Sequence, residues 1–459
     1  MLNKIILGVT LSLIFVSQAT FAQTSKENLE FRKWRITLIN PISTNGTQAA
    51  NYSAKYSINL IGGYHGALGP DGREFGTLFN INKYYSSGLQ LTGGVNYSGG
   101  YMEGLNIAGI ANIAKDDLSG LQVAGIGNIA QDDIEGLQAS GFFNAAKGDI
   151  SGLQASGFVN ISRGYIEGLQ ASGFINFAGR GVSGLQASTS ANISMGDMEG
   201  LLATGGINYA KGSASGLMAA GAFNIASDIE GLTFAGIGNV SQTLSGLQIG
   251  GFNFVAREGE GMQIGILNIA KEFEGAPIGV LSLYGNGRYN FDVRYSDAGF
   301  TDISLTTGTH RVYNMAMFGY NTALDRDVYR IGFAVGVEKN IQDSFENWKS
   351  DTFFSNQEFS VHHQFEGDWD QKLNFIYSYK YMIGKRFGNG MSIYGGPSVN
   401  MQVTRVNEAS DYTWYSMWSP TRKGRQYRFW VGLTAGIRLF KQKDLPLMKD
   451  SWNDWSDEW

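Results

Sequence analysis

Acidic residues recur at one place in a repeated pattern, where carboxylates could bind a cation or perform acid–base chemistry. They include Asp116, Asp117, Asp132, Asp133, Asp149 and Asp197. Oxygen ligands suit Ca²⁺, and an isolated pair of carboxylates in a cleft can act as the acid and base of a glycosidase. The same row contains Lys115 and Lys147, however, and its carboxylates recur monotonously along the chain. We therefore expect a solvated turn, with neither a metal site nor a catalytic pair.

Other residue types that support catalysis form no recognisable constellation. The chain has no Cys, which excludes thiolate nucleophiles, thiolate metal sites and disulfides. The four His residues are His65, His310, His362 and His363. Because neighbours on a strand point to opposite faces, His362 and His363 cannot bind one metal together. There is no Gly-x-Ser-x-Gly elbow and no Gly-rich phosphate loop. The sequence thus predicts no enzyme and no cofactor.

Composition and the N-terminus indicate where the protein works. A net charge of -5 gives no electrostatic basis for binding nucleic acid. Lys4 precedes an apolar run from Ile5 to Val16, and small residues stand at the -3 and -1 positions before Gln23. This pattern predicts a secretory signal peptide cleaved between Ala22 and Gln23, so we expect an exported protein. No Cys follows the cleavage site, so we do not expect a lipoprotein.

A sixteen-residue repeat fills the middle of the chain. Gly stands at 72, 88, 104, 120, 136, 152, 168, 184, 200 and 216, and then at 231, 246, 261 and 275, which makes fourteen units. The other persistent member is an Asn, found at Asn96, Asn112, Asn128, Asn144, Asn160, Asn176, Asn192, Asn208 and Asn224, and also at 80, 239, 253 and 268. Gln follows the leading Gly-Leu pair in many units but not in all of them. The Asn is therefore the stricter requirement.

Two architectures could use this period. One is a parallel β-solenoid with one coil per unit; the other is a single large antiparallel barrel with one strand per unit. A meander has a natural period of two units, and a deleted residue turns its later side chains to the other face. The observed period is one unit, and single deletions occur in both halves of it. We favour the solenoid, with the Asn residues forming an internal amide ladder. Apolar positions such as Leu121, Val123, Ile126 and Ile129 are expected to fill its core.

After about residue 285 the repeat gives way to longer alternating segments that are richer in aromatic residues. The clearest runs from Tyr427 to Phe440, and its alternation exceeds the roughly 9 to 11 residues that cross a bilayer as a tilted strand. The others are Arg288 to Tyr295, Phe300 to Thr306, His310 to Tyr320, Tyr329 to Glu338, Glu358 to Phe365, Leu373 to Lys385 and Met391 to Val403. Together they predict an eight-stranded antiparallel outer-membrane barrel. A soluble antiparallel barrel or sandwich is the alternative.

Two further features of this region carry expectations. The loop at Arg386 to Gly390 is short, whereas Lys339 to Gln357 and Asn407 to Gly424 are long. This alternation suggests short turns at one end of the barrel and long loops at the other. Trp414, Trp418 and Trp430 are expected to mark a membrane interface.

The sequence therefore predicts an all-β chain in five parts. These are a signal peptide (1–22), N-terminal strands that act as a cap (23–71), the repeat array (72–285), the barrel (286–440) and a Trp-rich acidic tail (441–459).

Units of the form GLQASGFxN, followed by MIGKRFGNG, IYGGPSVN and VGLTAGIRLF, resemble uncharacterised surface-repeat proteins of bacteria with an outer membrane. The resemblance covers about residues 55 to 440 and implies a place in the outer membrane, where the chain can be exposed at the cell surface. It supplies no chemistry, and the 19 residues after Phe440 depart from barrels whose last strand ends the chain. We expect a structural, adhesion or ligand-binding role, with the membrane and a glycan or protein ligand as partners. The alternative is an outer-membrane channel whose repeats form barrel strands.

Overall fold

The structure is a computed structural model that describes residues 29–341, 353–367, 372–387, 390–406 and 412–439. The predicted signal peptide, with its cleavage site between Ala22 and Gln23, and the predicted tail at 441–459 lie outside the described residues. The chain divides into two compact units, 1–125 and 126–459, which are described separately. Among the described residues, no helix is long and apolar enough to cross a membrane.

The predicted fold class is confirmed: the chain forms a β-solenoid of about 13 turns and a closed eight-stranded antiparallel barrel. Solenoid strands pair in parallel with the strand one repeat away, so that Gly136 lies beside Gly152 and Asn144 beside Asn160. The alternative of one large antiparallel barrel built from the repeats is wrong, because antiparallel pairing would oppose different positions of the repeat.

Over its described residues, 29–125, the first unit contains eight strands and one short 3₁₀ helix. They are β1 (Glu30–Ile39), β2 (Ile42–Ser43), the 3₁₀ helix (Gly46–Asn51), β3 (Tyr52–Gly76), β4 (Phe79–Thr92), β5 (Val95–Ser98), β6 (Met102–Ala108), β7 (Ala111–Ala114) and β8 (Leu118–Ala124). Parallel pairing starts with β1 on β3, where Trp34 lies beside Tyr56. The solenoid pairing therefore begins before Gly72, the first Gly of the repeat.

The second unit continues with the repeat array. Its strands are β9 (Gly127–Ala130), β10 (Ile134–Ser140), β11 (Phe143–Ala146), β12 (Ile150–Ser156), β13 (Val159–Ser162), β14 (Tyr165–Ser172), β15 (Ile175–Ala178), β16 (Gly181–Ser188), β17 (Ala191–Ser194), β18 (Asp197–Thr204), β19 (Ile207–Ala220), β20 (Phe223–Ala235), β21 (Gly238–Ser241), β22 (Thr243–Ile249) and β23 (Phe252–Tyr284). A typical coil thus has one strand of seven residues and one of four.

The leading position of each sixteen-residue repeat requires Gly because of its backbone conformation. Gly152 has a φ of 140°, a conformation that L side chains rarely adopt, and a Cβ there would lie 2.0 Å from the carbonyl oxygen of Gly136. Within each of the two compact units, the same close approach recurs between the other stacked leading glycines. A side chain at this row would therefore force neighbouring coils apart.

The predicted apolar core of the solenoid is wrong. In the first unit Leu121 and Val123 face outward and are half-buried; in the second, Ile126 is 49% exposed and Ile129 is half-buried. The buried positions hold the Asn and Gln rows, small Ala or Ser residues, and one apolar row that includes Ile134. Side chains alternate between the faces of a strand, so burying the Asn and Gln rows turns the apolar residues beside them outward.

The barrel comprises eight long strands and one short one. They are β24 (Arg288–Ser296), β25 (Phe300–Gly308), β26 (Val312–Asn321), β27 (Val328–Asn340), β28 (Phe353–Glu366), β29 (Asn374–Phe387), β30 (Met391–Thr404), β31 (Thr421–Arg422) and β32 (Arg425–Leu439). Each long strand pairs antiparallel with its neighbour, and β24 pairs with β32 to close the barrel. All eight predicted segments coincide with these strands.

The loop lengths do not sort the two ends of the barrel as the sequence suggested. The β27–β28 connection and the short β29–β30 turn lie at the same end, since Phe353 pairs with Lys385. The long β30–β32 connection lies at the opposite end, where Thr404 pairs with Gln426. Long connections therefore occur at both ends, because three strands, an odd number, lie between the two long connections.

The last coil of the array packs on the outer wall of the barrel. The backbone N–H of Gly279 donates to Asn314 Oδ1 at 3.0 Å, and that of Ser282 donates to Thr307 Oγ1 at 3.0 Å. Asn314 lies on β26 and Thr307 on β25. Barrel side chains thus satisfy donors at the open edge of the final coil, which would otherwise lack a paired strand.

Candidate functional site

The Asn row of the second unit forms a continuous hydrogen-bonded ladder. Every Asn from Asn128 to Asn268 is at most 1% exposed. Each Nδ2 donates to the Oδ1 of the Asn in the next coil, at 2.8 to 3.1 Å. The same nitrogen also donates to a backbone carbonyl of the next coil, as Asn144 does to Ala155 at 2.7 Å. Repetition thereby satisfies an amide in a place where water does not reach.

The ladder ends on hydroxyl and amide groups at the barrel. Asn268 Nδ2 donates to Ser282 Oγ at 3.2 Å, and Ser282 Oγ also accepts from Asn314 Nδ2 at 2.8 Å. In the first unit the same row links Asn80, Asn96 and Asn112 at 2.9 Å. The structure thus places all nine Asn residues singled out from the sequence in buried rows.

A second amide row runs beside the first and donates in the opposite direction. The Nε2 atoms of Gln154, Gln170 and Gln186 each donate to the Oε1 of the Gln one coil earlier, at 2.7 to 2.9 Å. The Asn row donates toward the C-terminus, so the amide dipoles of the two rows oppose each other. Beyond Gln186 the row continues with Leu202, and Gln186 Oε1 has no hydrogen-bond partner among the described residues.

A buried carboxylate lies at the start of both rows in the first unit. Glu74 is fully buried and pairs in register with Gln90, so it occupies the Gln position of the repeat. Five side chains donate to it, at 2.7 to 3.1 Å: Arg35, Ser57, Asn59, Asn82 and Gln90. Asn59 also donates to Asn80 Oδ1 at 2.7 Å, which connects the carboxylate to the Asn row.

This cluster was missed by the sequence analysis, although part of it could have been found. Aligning Gly72 with the later repeats places Glu74 in the Gln row, where an acidic residue is unusual. Arg35 comes from β1, before the repeat begins, and reaches Glu74 only because β1 pairs with β3. No spacing in the sequence indicates that contact.

The cluster shifts the ionisation of its members. Burial alone would raise the pKa of Glu74, but the charge of Arg35 and the surrounding donors lower it to about 2. Burial and the charge of Arg35 lower the pKa of His65 to about 3, against the opposing effect of Glu74. His65 Nε2 lies 3.0 Å from Asn59 Oδ1, which requires a protonated Nε2 in the neutral ring. At neutral pH the cluster therefore holds one ion pair and a neutral histidine.

The barrel interior is also polar, but its buried groups are charged side chains that form ion pairs across the lumen. Glu338 accepts from Arg288, Arg386 and Arg438 at 2.8, 2.5 and 2.7 Å. Glu338 is 6% exposed, and Arg288 and Arg438 are equally well buried. One carboxylate thus holds three guanidinium groups that come from separate strands.

Two further groups of ion pairs fill the lumen. Glu358 accepts from Arg294 at 2.7 Å and from Lys380 at 3.0 Å. Asp302 forms a bidentate pair with Arg330. A cavity of about 20 Å³ remains beside Arg330, His362 and Lys380, which is room for about one water molecule. The described lumen is thus packed with paired side chains.

The outer wall of the barrel is apolar. Its large outward side chains are between 36% and 67% exposed, and they are Phe291, Tyr295, Ile303, Leu305, Phe318, Tyr320, Ile331, Phe359, Tyr379, Tyr381, Ile383, Ile393, Val399, Val431, Leu433 and Ile437. We call these residues the barrel belt. The barrel is therefore apolar outside and charged inside, the reverse of a soluble barrel.

Several predicted positions have a different place from the one expected. Trp430 does not face outward: it is 2% exposed, and its Nε1 donates to Asp297 Oδ2 at 3.1 Å. Trp414 and Trp418 are exposed, and their place at a membrane interface stays a prediction. His362 points into the lumen, whereas His363 stacks on Phe375 outside, with ring centroids 4.5 Å apart.

The acidic turn row binds backbone groups. Asp133 Oδ1 accepts from the N–H of Asp149 at 2.7 Å, and Asp149 Oδ1 accepts from the N–H of Tyr165 at 2.6 Å. Asp197 Oδ1 likewise accepts from the N–H of Ser213 at 2.9 Å. These carboxylates therefore cap the turns of the next coil, which explains their monotonous recurrence.

Comparison with known protein families, with curated proteins and with solved structures finds no match to this chain. The resemblance to outer-membrane surface-repeat proteins thus stays a prediction, and function is argued from the chain's own geometry.

Proposed function

We propose that this chain is an exported protein of the bacterial outer membrane, anchored by its barrel, with a structural, adhesion or ligand-binding role and no catalysis. The observation that carries the proposal is the inside-out barrel, with the barrel belt outside and ion pairs inside. In water, exposing this belt would be unfavourable. In a bilayer the belt is solvated by lipid, and closure of the barrel leaves no unpaired strand edge.

The repeat array supports a binding or scaffolding role. Its polar groups are used internally by the two amide rows, and its surface repeats the same features coil after coil. Repetitive surfaces of this kind suit polyvalent contact with a glycan or a protein ligand. The space beside His362 in the lumen measures only about 20 Å³, which is too small for a substrate.

A transport channel, the second candidate from the sequence, loses its structural basis. That candidate required the repeats to widen the barrel, whereas they pair in parallel as coils. The eight-stranded barrel has a lumen filled by ion pairs such as those of Glu338 and Glu358. We expect no single-channel conductance from the purified protein in a planar bilayer.

The membrane anchor is tested by fractionation of cells that express matched variants. The wild-type chain should remain in the outer membrane after high-salt and carbonate washes. Leu433→Arg places a charge in the middle of the barrel belt, at a cost of about 2–4 kcal/mol near the bilayer centre, and should reduce assembly. Trp414→Arg changes an exposed loop residue at the expected interface, where Arg costs only about 0–1 kcal/mol, and should assemble nearly normally. Release of the wild type by salt, or equal assembly of both variants, would contradict the proposal.

A further inference from the structure

The array divides its outer surface into an apolar side and a charged side. Five outward positions of each coil form the side that we call the apolar arc; in one coil they are Leu137, Ala139, Phe142, Phe143 and Ala145. Apart from Gly238, these positions are half-buried or exposed because each row is covered only by its own neighbours. From Leu137 to Ile269, all of them described, the equivalent positions include no charged residue.

Every charge of this region lies on the other side. We call that side the charged arc, and it comprises the turn after the short strand together with the residue before the leading Gly. Its members are Asp132, Asp133, Glu135, Lys147, Asp149, Arg163, Glu167, Arg180, Asp197, Glu199, Lys211, Asp228, Glu230, Arg257, Glu258, Glu260, Lys271, Glu272 and Glu274. The coils are therefore amphipathic in cross-section, as an interfacial helix is.

We propose that the apolar arc lies against the lipid surface of the membrane that holds the barrel, so that the array is bound to the bilayer along its length. The inference rests on the proposed membrane anchor. It assigns lipid to the apolar arc and leaves the charged arc for the aqueous side. The apolar arc extends for roughly 40 Å at the ~4.8 Å spacing of stacked strands, far more than an isolated surface hydrophobe.

Continuity with the barrel belt favours lipid as the occupant. Val280 is the last member of the Phe142 row and is 45% exposed. Gly279, which precedes it, and Ser282, two residues after it, are hydrogen-bonded to Asn314 and Thr307 on the outer face of the barrel. Along the same faces of those two strands come Phe318 and Leu305, which belong to the barrel belt. The apolar arc thus meets the barrel belt where the array joins the barrel.

Backbone satisfaction makes this contact possible. Lipid cannot hydrogen-bond to unpaired N–H or C=O groups. The strands of the array pair coil to coil, so their peptide groups are satisfied along the side of the array. At its C-terminal end Asn314, Thr307 and Thr309 bond to the last coil. The Asn and Gln rows point inward, whereas Ser140, Ser156, Ser172 and Ser188 place a row of half-buried hydroxyls in the groove beside the Ala row of the apolar arc.

Other occupants fit less well. Protein interfaces carry about one hydrogen bond per 100–200 Å², whereas the five rows of the apolar arc contain few polar side chains and the adjacent Ser row is half-buried. Glycans dock on the faces of aromatic rings, but Phe142, Phe158 and Phe174 stack on one another at 4.9 Å, which covers those faces. The outward edges of these rings and the neighbouring Ala methyl groups suit hydrocarbon.

The full chain allows a direct test, because it has no Cys. Single variants Val159→Cys on the apolar arc, Ser151→Cys on the charged arc and Leu433→Cys in the barrel belt would each carry a nitroxide spin label. The protein would be reconstituted in vesicles of phosphatidylethanolamine and phosphatidylglycerol. Power-saturation measurements then compare access of oxygen, which partitions into lipid, with access of a water-soluble nickel chelate.

We expect the labels at 159 and 433 to be accessible to oxygen and protected from nickel, and the label at 151 to show the reverse. If the label at 433 behaves in this way but that at 159 is accessible to nickel, the anchor stands and the lipid-bound array is wrong. A label at 159 shielded from both reagents would show a protein partner or a second copy instead. Access of nickel to the label at 433 would refute the anchor itself. Ile175→Cys, in the same row, repeats the measurement should the first label disturb its coil.

Discussion

The array and the barrel both have polar interiors, but their buried polar side chains find hydrogen-bond partners in different ways. In the array, neutral amides such as Asn144 bond to identical amides one coil away. In the barrel, charges such as Glu338 pair with cations from distant strands. A repeated structure can use one residue type throughout, because each copy supplies the partner of the next. A barrel of non-identical strands has no such rule and must match each charge individually.

The largest effect should come from breaking a matched set in the barrel. Glu338→Ala removes the carboxylate that Arg288, Arg386 and Arg438 share, leaving buried cations without a counter-charge. We expect a loss of about 3–5 kcal/mol in the free energy of unfolding. Denaturant unfolding in detergent, followed by circular dichroism, measures it. Glu135→Ala, which removes an exposed charge from the array, should change stability by no more than about 0.5 kcal/mol. Equal losses in the two variants would mean that the barrel network contributes nothing specific.

The first unit contains both kinds of buried polar contact, because its amide rows start at the charged residue Glu74. The pKa of Glu74 is about 2 in the folded state, against 4.5 in the unfolded state, and that of His65 is about 3, against 6.5. In both cases the unfolded chain binds more protons, so stability should fall as the pH falls. The loss begins below pH 6.5, from His65, and steepens below pH 4.5, from Glu74. For Glu74 alone it amounts to about 3 kcal/mol.

Hydrogen exchange measured from pH 7 to pH 3 checks this dependence in β1 and β3. His65→Gln keeps a donor near Asn59 without a titrating ring. It should flatten the profile between pH 6.5 and 4.5 and leave the lower part steep. An unchanged profile in this variant would show that His65 does not titrate on unfolding.

A smaller effect is expected inside the array. Asn144→Leu removes one of the two acceptors of Asn128 Nδ2 and the Asn donor to Asn160 Oδ1, at about 1–3 kcal/mol for each buried group left unsatisfied. Ala145→Leu introduces the same side chain at the next residue, which faces outward, and serves as the control. Thermal unfolding of the two variants should therefore differ, with Asn144→Leu the less stable. If the two melt together, the ladder does not stabilise the array.

The sequence predicted the elements of this fold better than it predicted their faces. A period of one sixteen-residue repeat, with single deletions in both halves of it, indicated one coil per repeat. The strand spans of the barrel followed from alternation alone, as in Tyr427 to Leu439. Leu121 and Ile126 were assigned to the core because apolar residues are usually buried. In this solenoid the Asn and Gln side chains are buried instead, because each stacked amide bonds to its equivalent in the next coil. The apolar residues that alternate with them along the strand must then face outward.

Contacts between distant residues could not be predicted for a related reason. Arg35 with Glu74, and Glu338 with its three arginines, join positions whose separation follows no period. Only the closed barrel or the paired β1 brings them together. Trp430 shows the same limit, because its inward direction depends on which residues of β32 face the lumen, and both faces of that strand carry aromatic residues.

The smallest effect on stability should come from the largest change in sequence, the deletion of two whole coils from the array. Deleting residues 168–199 removes two whole coils and joins Glu167 to Gly200. The Asn row then runs from Asn160 to Asn208 without a gap. In the Gln row, Gln154 meets Leu202, which is the junction that Gln186 already makes in the intact chain. Because each coil contacts only its neighbours, the shortened array should unfold at nearly the same denaturant concentration, with a smaller m-value for the surface lost. Deletion of β26 and β27 from the barrel is the matched experiment: it removes Asn314 and Glu338 and should prevent assembly. If the shortened array failed to fold while its coil junctions matched, its stability would have to depend on contacts beyond nearest neighbours, and the contrast between repeated and individually matched interiors would be wrong.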